Sequence, residues 1–174
     1  MDDNLRTGFR RAVYAGSFDP ITNGHLWMIQ EGSYLFDALV VAVGMNPDKR
    51  YTFSLDERLK MLNSTIGHLP SVTIDSFTNK FLVHYAKEID AGYILRGIRN
   101  VNDYSYERGI RLINSDLNIE ISTVFLMPPR EISEVSSSLI KDLIGPSGWE
   151  DVVKNYVPAP VFAKLKKKYL NSHS

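Results

Sequence analysis

Glycines and a histidine stand close together near the start of the chain, in G-S-F-D-P from Gly16 and T-N-G-H ending at His25. A β-prone segment precedes them and a run without helix breakers follows, so we predict that they join a first strand to a first helix. Glycine permits close backbone approaches, and the N–H groups at a helix start attract anions. The pattern predicts a phosphate site in which His25 faces negative charge. The alternative interpretation is a plain turn at Gly16, with His25 serving only as a helix cap.

Two common phosphate-binding motifs are absent from the sequence. No segment reads G-x-x-x-x-G-K-[ST], and no G-x-G-x-x-G follows a predicted strand. These absences exclude a P-loop and the usual dinucleotide-binding fingerprint. The first loop therefore belongs to another class of phosphate site.

Basic side chains follow two further predicted strands. Arg96 and Arg99 lie on either side of a glycine at the end of one strand, and Lys49 and Arg50 follow another. Carboxyl ends of parallel strands share one edge of a sheet, so we expect these side chains beside the first loop. The planar fork of arginine can bind two phosphate oxygens, although a lone basic residue is usually solvated. The arginine pair favours phosphate binding.

Three serines, Ser136 to Ser138, open a predicted helix. One serine suffices as an N-cap, and Ser136 can fill that role. Ser137 and Ser138 then offer hydroxyl and backbone N–H groups to a second anion. The structural alternative is a cap with two polar neighbours.

The composition indicates one ordinary globular domain. The 174 residues carry 20 basic and 20 acidic side chains, and 44% are hydrophobic. A chain of this length can bury about 70% of its unfolded surface, so we expect a single domain over residues 1–174, ordered from about 9 to 170. The balanced charge argues against general nucleic-acid binding.

Cysteine is absent and histidine is scarce, which narrows the possible chemistry. Disulfides and thiolate nucleophiles are excluded, and the lack of cysteine fits a reducing compartment. The histidines, at positions 25, 68, 84 and 173, show no H-E-x-x-H spacing. We therefore expect no protein-built metal site, while magnesium carried by a nucleotide remains compatible with the sequence.

The sequence contains no recognisable targeting or membrane-spanning segment. Its start is acidic and has no apolar stretch, and no run approaches the roughly 20 apolar residues that cross a bilayer. We predict a cytoplasmic protein with no membrane partner. About the first eight residues and the last four are expected to be frayed.

Five β-prone segments alternate with helical patterns. The predicted strands lie near residues 11–14, 38–44, 72–77, 93–99 and 122–127. The valine-rich second segment is typical of a parallel strand covered on both faces. We predict an α/β fold, a Rossmann-like five-stranded parallel sheet with right-handed connections and helices on both faces.

Helix signals occupy the intervals between the strands. Ser54 and Glu57 form a capping box for a helix whose Arg58 and Lys60 we expect on a solvated face. A later helix ends near residue 117 and is predicted to place Glu107 at the ligand edge. Its predicted cap is Asn102 or Asp103, and its predicted buried stripe is Tyr106, Ile110, Ile113 and Leu117.

These motifs together resemble the nucleotidyltransferase superfamily, which shares an H-x-G-H type motif with class I aminoacyl-tRNA synthetases. Within it the sequence is most similar to the phosphopantetheine adenylyltransferase family of bacterial coenzyme A synthesis. The similarity extends from Arg11 to about Leu170 and includes four motifs in the same order. They are the first loop, Lys49, the arginine pair followed by Asp103 to Glu107, and Val135 to Ser138.

The resemblance implies roles for individual positions. It assigns acceptor contacts to Ser17, Lys49, Leu82 and Arg96, and transition-state stabilisation to His25, Lys49 and Arg99. It assigns ATP contacts to Ser17, Phe18, His25, Gly97, Ile98, Arg99, Glu107, Ile132, Ser133, Glu134, Val135, Ser136, Ser137 and Ser138. It further implies Mg²⁺ bound to the nucleotide, a homohexamer, and coenzyme A as a feedback ligand.

Several positions depart from the common pattern of that family. Ala15 stands where proline is usual, Ser17 where threonine is frequent, and Ile132 where an aromatic residue is often found. One extra residue before Tyr85 makes Leu82 the nearest match for the acceptor contact, in place of Phe81.

The implied reaction is attack by the phosphate of 4′-phosphopantetheine on the α-phosphorus of ATP, with release of pyrophosphate and formation of dephospho-coenzyme A. No protein nucleophile and no covalent intermediate are needed. One alternative is nucleotidyl transfer to another phosphorylated acceptor, such as nicotinate mononucleotide or glycerol 3-phosphate. A second is a non-catalytic nucleotide or coenzyme A binding module, against which the joint presence of His25 and Lys49 argues.

Overall fold

The computed structural model describes residues 8–170, together with the side chains up to Tyr169. The predictions for the extreme ends of the chain, including frayed termini and an N-terminus without a targeting segment, fall on residues 1–7 and 171–174, outside the described part. No helix within residues 8–170 is both long and apolar enough to cross a membrane.

Five parallel strands form one sheet, which confirms the predicted fold. In chain order they are β1 Arg11–Gly16, β2 Ala38–Met45, β3 Val72–Thr78, β4 Tyr93–Gly97 and β5 Ser122–Leu126. Their order across the sheet is β3-β2-β1-β4-β5. The middle of β2 is fully buried because helices cover both faces of the sheet, which explains its continuous run of small and β-branched apolar residues.

Eight helices accompany the strands within the described residues. They are α1 Asn23–Leu35, α2 Leu55–Ile66, α3 Leu82–Glu88, α4 Val101–Leu117, α5 Arg130–Ser133, α6 Ser137–Leu143, α7 Trp149–Val153 and α8 Ala159–Leu170. The predicted capping box of α2 is present, with Ser54 and Glu57 each bonded to the other's backbone N–H. The short helix α5 lies between β5 and α6.

The order of the strands changes direction at β1, and this change determines where a ligand site can form. The chain builds outward from β1 to β3, then returns across the sheet to place β4 on the other side of β1. Gly16 pairs with Val43 of β2, and Tyr14 pairs with Leu95 of β4. At such a switch point the loops on either side diverge and leave a crevice at the carboxyl ends of the strands.

Two apolar clusters lie on opposite faces of the sheet. The larger unites α1, α2, α6, α7 and α8 with residues such as Phe18, Leu62 and Leu165. The smaller packs Val83 and Ala86 of α3 on alternate residues of β1 and β2. The prediction of helices on both faces is therefore confirmed.

Helix α4 differs from its prediction in both its cap and its buried face. Asn100 is the cap, since its side chain accepts from the backbone N–H of Asp103. The buried residues of α4 are Glu107 and Asn114, not the apolar stripe that the sequence predicted. Tyr106 is 65% exposed and Ile113 is 51% exposed. The apolar side of α4 points away from the two apolar clusters and is exposed.

Arg58 also contradicts its prediction. The sequence placed it with Lys60 on a solvated face of α2, and Lys60 is indeed exposed. Arg58, however, is completely buried. Its guanidinium lies beneath the loops that leave β1 and β2. There it donates to a backbone carbonyl and stacks on an aromatic ring.

Candidate active site

A cleft opens at the carboxyl ends of β1 and β4, as the strand order predicts. It brings together three distant parts of the chain, namely the first loop with the start of α1, the arginine segment with α4, and the segment that leads into α6. Its lining residues are Tyr14, Ala15, Gly16, Gly24, His25, Met28, Arg96, Gly97, Arg99, Asp103, Glu107, Pro128, Ile132, Val135 and Ser136.

His25 occupies the third position of α1 and completes a capping box with Thr22. The backbone N–H of Thr22 donates to Nδ1 of His25 at 3.1 Å, while the Thr22 side chain accepts from the His25 backbone N–H. Since Nδ1 accepts a hydrogen bond, the proton of a neutral imidazole is on Nε2. The two interpretations of His25 are thus compatible, because the same residue caps the helix and lines the cleft.

The charge state of His25 follows from its surroundings. Burial, reinforced by the positive charge of Arg99, lowers its pKa to about 4. Phe18 contributes to this apolar environment, since its ring packs edge-on against the imidazole with centroids 5.2 Å apart. At neutral pH the imidazole is therefore uncharged and offers one N–H donor to an anion.

Arg96 lies at the end of β4 and is paired with Glu107 of α4. Its Nε donates to Glu107 Oε2 at 2.9 Å, its Nη2 donates to Oε1, and its Nη1 donates to the carbonyl of Ala15 at 3.1 Å. Burial alone would lower the pKa of Arg96, but the hydrogen bond and charge of Glu107 outweigh it and the pKa is raised. The bidentate pair fixes the guanidinium plane at the floor of the cleft.

Arg99 is held by a second carboxylate one helical turn further along the chain. Its Nε donates to Asp103 Oδ2 at 2.7 Å, and the backbone N–H of Arg99 donates to the same oxygen at 3.2 Å. The hydrogen bonds that Arg99 donates to Asp103 raise the pKa of Arg99 and lower the pKa of Asp103. Arg99 is more exposed than Arg96, so its guanidinium can turn towards a ligand more easily.

The segment before α6 closes the cleft on the side of α1. Ser136 caps α6 as predicted, accepting from the backbone N–H of Leu139 at 3.1 Å. A Cβ on Gly24 would lie 2.9 Å from the carbonyl oxygen of Val135, so only glycine allows this approach. Ser137 donates its hydroxyl to the carbonyl of Pro20 at 2.7 Å and thereby ties this segment to the first loop.

The structure brings together about half of the residues that the sequence singled out. His25, Arg96, Gly97, Arg99, Glu107, Ile132, Val135 and Ser136 line the cleft. Ser17, Phe18, Lys49, Leu82, Ile98, Ser133, Glu134, Ser137 and Ser138 do not line it. Phe18 and Ile98 are buried, whereas Lys49 and Ser138 are exposed.

A second groove lies at the same edge of the sheet, over β2 and β3. It is lined by Met45, Asn46, Pro47, Asn79, Lys80, Phe81, His84 and Glu88. Phe81 is 62% exposed, whereas Leu82 packs partly buried on the smaller apolar cluster. Ser17 and the loop that bears Lys49 leave β1 and β2, between this groove and the cleft.

Some residues of the cleft were missed by the sequence analysis. Met28 lies one turn after His25 on α1, so helical spacing from His25 could have identified it. Asp103 lies four residues after Arg99; the sequence analysis named it as a possible helix cap and as the start of the motif Asp103 to Glu107, but did not predict its contact with Arg99. No sequence signal marked Tyr14, whose burial raises its pKa to about 12.

The donors of the cleft suit an anionic ligand better than a bare metal ion. Both of its carboxylates, Asp103 and Glu107, already accept from an arginine. Residues 8–170 contain no cluster of three or more histidine or acidic side chains that could hold a metal ion. The neutral imidazole and the two guanidinium groups can instead orient phosphates and neutralise negative charge.

Comparisons with known proteins agree with this geometry. Residues 13–143 match the family described as cytidylyltransferase-like. The phosphopantetheine adenylyltransferase of Chromobacterium violaceum is 57% identical over 160 residues, which are 92% of this chain and 98% of that protein. The enzyme of the same name from Caldanaerobacter subterraneus subsp. tengcongensis is 40% identical over 94% of this chain and 99% of its own length.

A solved structure shares the fold at much lower identity. The nicotinic acid mononucleotide adenylyltransferase of Plasmodium falciparum, complexed with NaAD, superposes with a TM-score of 0.67 at 18% identity. The match covers 93% of this chain and 96% of that one. At this identity the likeness concerns the fold alone.

Proposed function

Because the chain belongs to the phosphopantetheine adenylyltransferase family of nucleotidyltransferases, we propose that it transfers the adenylyl group of ATP to 4′-phosphopantetheine, giving dephospho-coenzyme A and pyrophosphate. The observation that carries the proposal is the convergence of His25, Arg96 and Arg99 on one cleft with the segment around Ser136. These groups come from three separate parts of the chain and are all suited to phosphate.

ATP occupies the cleft between β1 and β4 in this proposal. The nucleotide contacts two segments, Ile132 to Ser138 and Gly97 to Arg99. The ring of Phe18 packs against His25 and holds the imidazole in place. The Nε2–H of His25 donates to an oxygen of the α-phosphate, because its Nδ1 is engaged by Thr22. Ser17 lies at the border between the nucleotide and the acceptor.

The acceptor approaches from the other side of β1. Arg96, Lys49 and Ser17 bind its phosphate, and its pantetheine arm follows the sheet edge towards the groove over β2 and β3. The exposed ring of Phe81 in that groove suits an apolar part of the arm better than Leu82, which is partly buried. This arrangement places the two substrates on opposite sides of the first loop, with their phosphates meeting above it.

The chain then acts by positioning and by neutralising charge. The acceptor phosphate is already ionised and attacks the α-phosphorus in line, so no general base and no covalent intermediate are required. Holding two reactants in place can supply about 7–11 kcal/mol of the barrier. Each preorganised donor aimed at the developing charge adds about 3–4 kcal/mol. We assign these donor roles to His25, Lys49 and Arg99.

Magnesium enters with the nucleotide in this scheme. It would neutralise negative charge on the phosphates of ATP. The engagement of Asp103 and Glu107 by arginines supports this assignment, since no carboxylate of the cleft is left to form a cage for the ion.

A comparison of acceptors tests the proposed function. Pyrophosphate release is measured with ATP and Mg²⁺ in the presence of 4′-phosphopantetheine, nicotinate mononucleotide or glycerol 3-phosphate. We expect rapid release with the first acceptor alone. Release with either of the others would reassign the substrate, and ATP binding without release for any acceptor would indicate a non-catalytic binding module.

The exposed apolar face of α4 supports self-association, and we propose the homohexamer that the sequence resemblance implies. A soluble protein rarely leaves so much apolar surface on one helix unless another chain covers it. The exposed apolar side chains of α4 include Tyr106, Ile113 and Leu117, which lie along one stripe, and Val101, Tyr104 and Leu112 on another side of the helix. Glu107, which lines the cleft, lies on the same helix, so an interface through α4 would lie close to the cleft.

Two further proposals concern regulation and location. Coenzyme A contains the pantetheine and nucleotide parts of the product, so it can compete for the same cleft as a feedback ligand. The cysteine-free composition fits the reducing cytoplasm, where we place the protein.

A further inference from the structure

Arg58 is a buried cation outside the cleft that the proposed mechanism does not use. It lies on α2 and is completely inaccessible to solvent. Its hydrogen-bond partners within residues 8–170 are neutral, namely the carbonyls of Ser17 and Ser54 and the thioether of Met45. The negative charge of Asp19 offsets the burial of Arg58 only in part, so that burial still lowers the pKa of Arg58. Burying a charge in this way is costly, and a hydrophobic residue of similar volume often serves stability equally well. Its presence at this position therefore suggests a purpose besides stability.

The contacts of Arg58 join two loops. Its Nη1 donates to the carbonyl of Ser17 at 2.8 Å, in the loop that leaves β1. Its guanidinium also stacks on the ring of Tyr51 at 4.1 Å from the ring centroid, in the loop that leaves β2. Arginine suits such a site because its plane can stack while its edge donates.

Tyr51 transmits this contact to the loop that carries Lys49. The hydroxyl of Tyr51 accepts from the backbone N–H of Asn46 at 2.9 Å, and Asn46 in turn accepts from the backbone N–H of Lys49 at 3.1 Å. The ammonium group of Lys49 itself lies 5.8 Å from the centroid of the Tyr51 ring. Tyr51 thus supports the loop 46–50 through its hydroxyl and its ring.

A second link fixes the same two loops to one another. The carboxylate of Asp19, in the first loop, accepts from the backbone N–H groups of Thr52 and Phe53, each at 2.8 Å. Asp19 also lies 3.5 Å from the ammonium group of Lys141 on α6. Residues 17–19 and 46–53 are consequently tied together at two points, of which Arg58 is the one nearer to Ser17 and Lys49.

We propose that Arg58 is a positioning residue that fixes the loop bearing Lys49 relative to Ser17, so that the acceptor phosphate is held at one defined place beside the nucleotide. The inference rests on the proposed function and deepens it on the acceptor side. Arg58 does not touch either substrate. Its effect reaches them through Tyr51 and the backbone of Ser17. The nucleotide cleft shares the first loop with this link, but the rest of its lining comes from β4, α4 and the segment before α6.

The test compares Arg58→Met with the parental protein and with the control Lys60→Met, which removes an exposed lysine from the same helix. For Arg58→Met we expect the KM for 4′-phosphopantetheine to rise at least tenfold with a lower kcat, while the KM for ATP changes less than twofold. Lys60→Met should match the parent in all three constants. A general loss of structure would affect both substrates alike, so equal changes in the two KM values, or none, would overturn the proposal.

Amide hydrogen exchange supplies a readout that does not depend on turnover. In Arg58→Met the amides of residues 46–53 should exchange at least tenfold faster, while those of β4 and α4 keep the parental rate. Unchanged exchange in residues 46–53 would also overturn the proposal. If the parental protein itself releases no pyrophosphate with 4′-phosphopantetheine, the proposed function fails, and this exchange measurement still decides whether Arg58 couples the loops.

Tyr51→Leu provides an independent variant should Arg58→Met fail to fold. This variant keeps Arg58 but removes the aromatic ring on which Arg58 stacks. It should therefore show the same selective increase in the KM for the acceptor. Combining both substitutions should add less than a further twofold, because each breaks the same link. Fully multiplicative effects would show that the two residues act separately.

Discussion

Thr22 and His25 hold each other at the start of α1, with the backbone N–H of Thr22 donating to Nδ1 of His25 at 3.1 Å. This single contact has two effects. It satisfies a backbone group ahead of the first helical turn, and it leaves the proton of the imidazole on Nε2. The local signal that starts the helix thus also sets the chemistry of the cleft.

Replacing His25 should separate these two effects. Glutamine at this position preserves the capping box, since it can accept from the same backbone N–H, whereas alanine cannot. We expect His25→Gln to retain parental stability and His25→Ala to lose about 1 kcal/mol. Both should lose turnover by about a hundredfold or more, as removal of an oxyanion donor does elsewhere. Urea denaturation and pyrophosphate release measure the two quantities, and a near-parental rate in His25→Gln would reject the catalytic assignment.

The depressed pKa of His25 makes stability depend on pH. The unfolded chain binds a proton at this imidazole below its ordinary pKa of 6.5, while the folded protein resists protonation down to about 4. Stability is therefore lost as the pH falls from 6.5 towards 4. Between pH 7 and pH 4.5 the parent should lose roughly 2–3 kcal/mol more than His25→Gln. Urea midpoints at both pH values and equal protein concentration measure this difference, and equal losses in the two proteins would contradict it.

The contact between Gly24 and Val135 predicts a steric effect on the cleft. A methyl group at Gly24 would lie 2.9 Å from a backbone oxygen, so the segment before α6 has to move. We expect Gly24→Ala to cost about 1–3 kcal/mol and to raise the KM for ATP.

Gly92→Ala is the matched control for that substitution. A Cβ at Gly92 would meet no heavy atom within 4 Å in the described structure. Its stability should stay within about 0.5 kcal/mol of the parent. If both alanine variants behave alike, the close approach at Gly24 has no energetic importance.

The exposed face of α4 predicts that charge will weaken self-association. Ile113→Glu places a carboxylate on this face, and we expect the assembly to dissociate into smaller species because the charge would be buried without a partner. Lys60→Glu, on the exposed face of α2, introduces the same residue elsewhere and should leave the assembly intact. Sedimentation velocity measures the size of the assembly that each variant forms. A parental protein that is monomeric at micromolar concentration would refute the proposed hexamer.

The sequence predicted the sheet and the core of the cleft because both depend on local signals. Runs such as Ala38–Met45 specify a parallel strand by their composition, and the loops around His25 and Arg96 follow from where such strands end. The parallel arrangement then brings those loops to one edge without further information. The phosphate-binding prediction needed no knowledge of long-range contacts.

The errors arose where a side chain's environment is set by distant parts of the chain. Arg58 was predicted to be solvated because it is charged, and the approach of Ser17 and Tyr51 encloses it. The apolar pattern of α4 is real, but no local signal tells whether a helix face meets its own core or another chain. Local spacing also did not distinguish the environments of Phe81 and Leu82, of which the first is largely exposed and the second partly buried.

The parallel arrangement of all five strands also separates the molecule into two ends with different tolerance to change. The turn at His68 and Pro70 connects α2 to the start of β3, at the end opposite to the cleft, and both residues are exposed. A fluorophore or a short affinity peptide inserted there would report on the protein from a distance and leave ligand access unobstructed. An insertion of equal length after Met45 would displace the loop that Tyr51 supports.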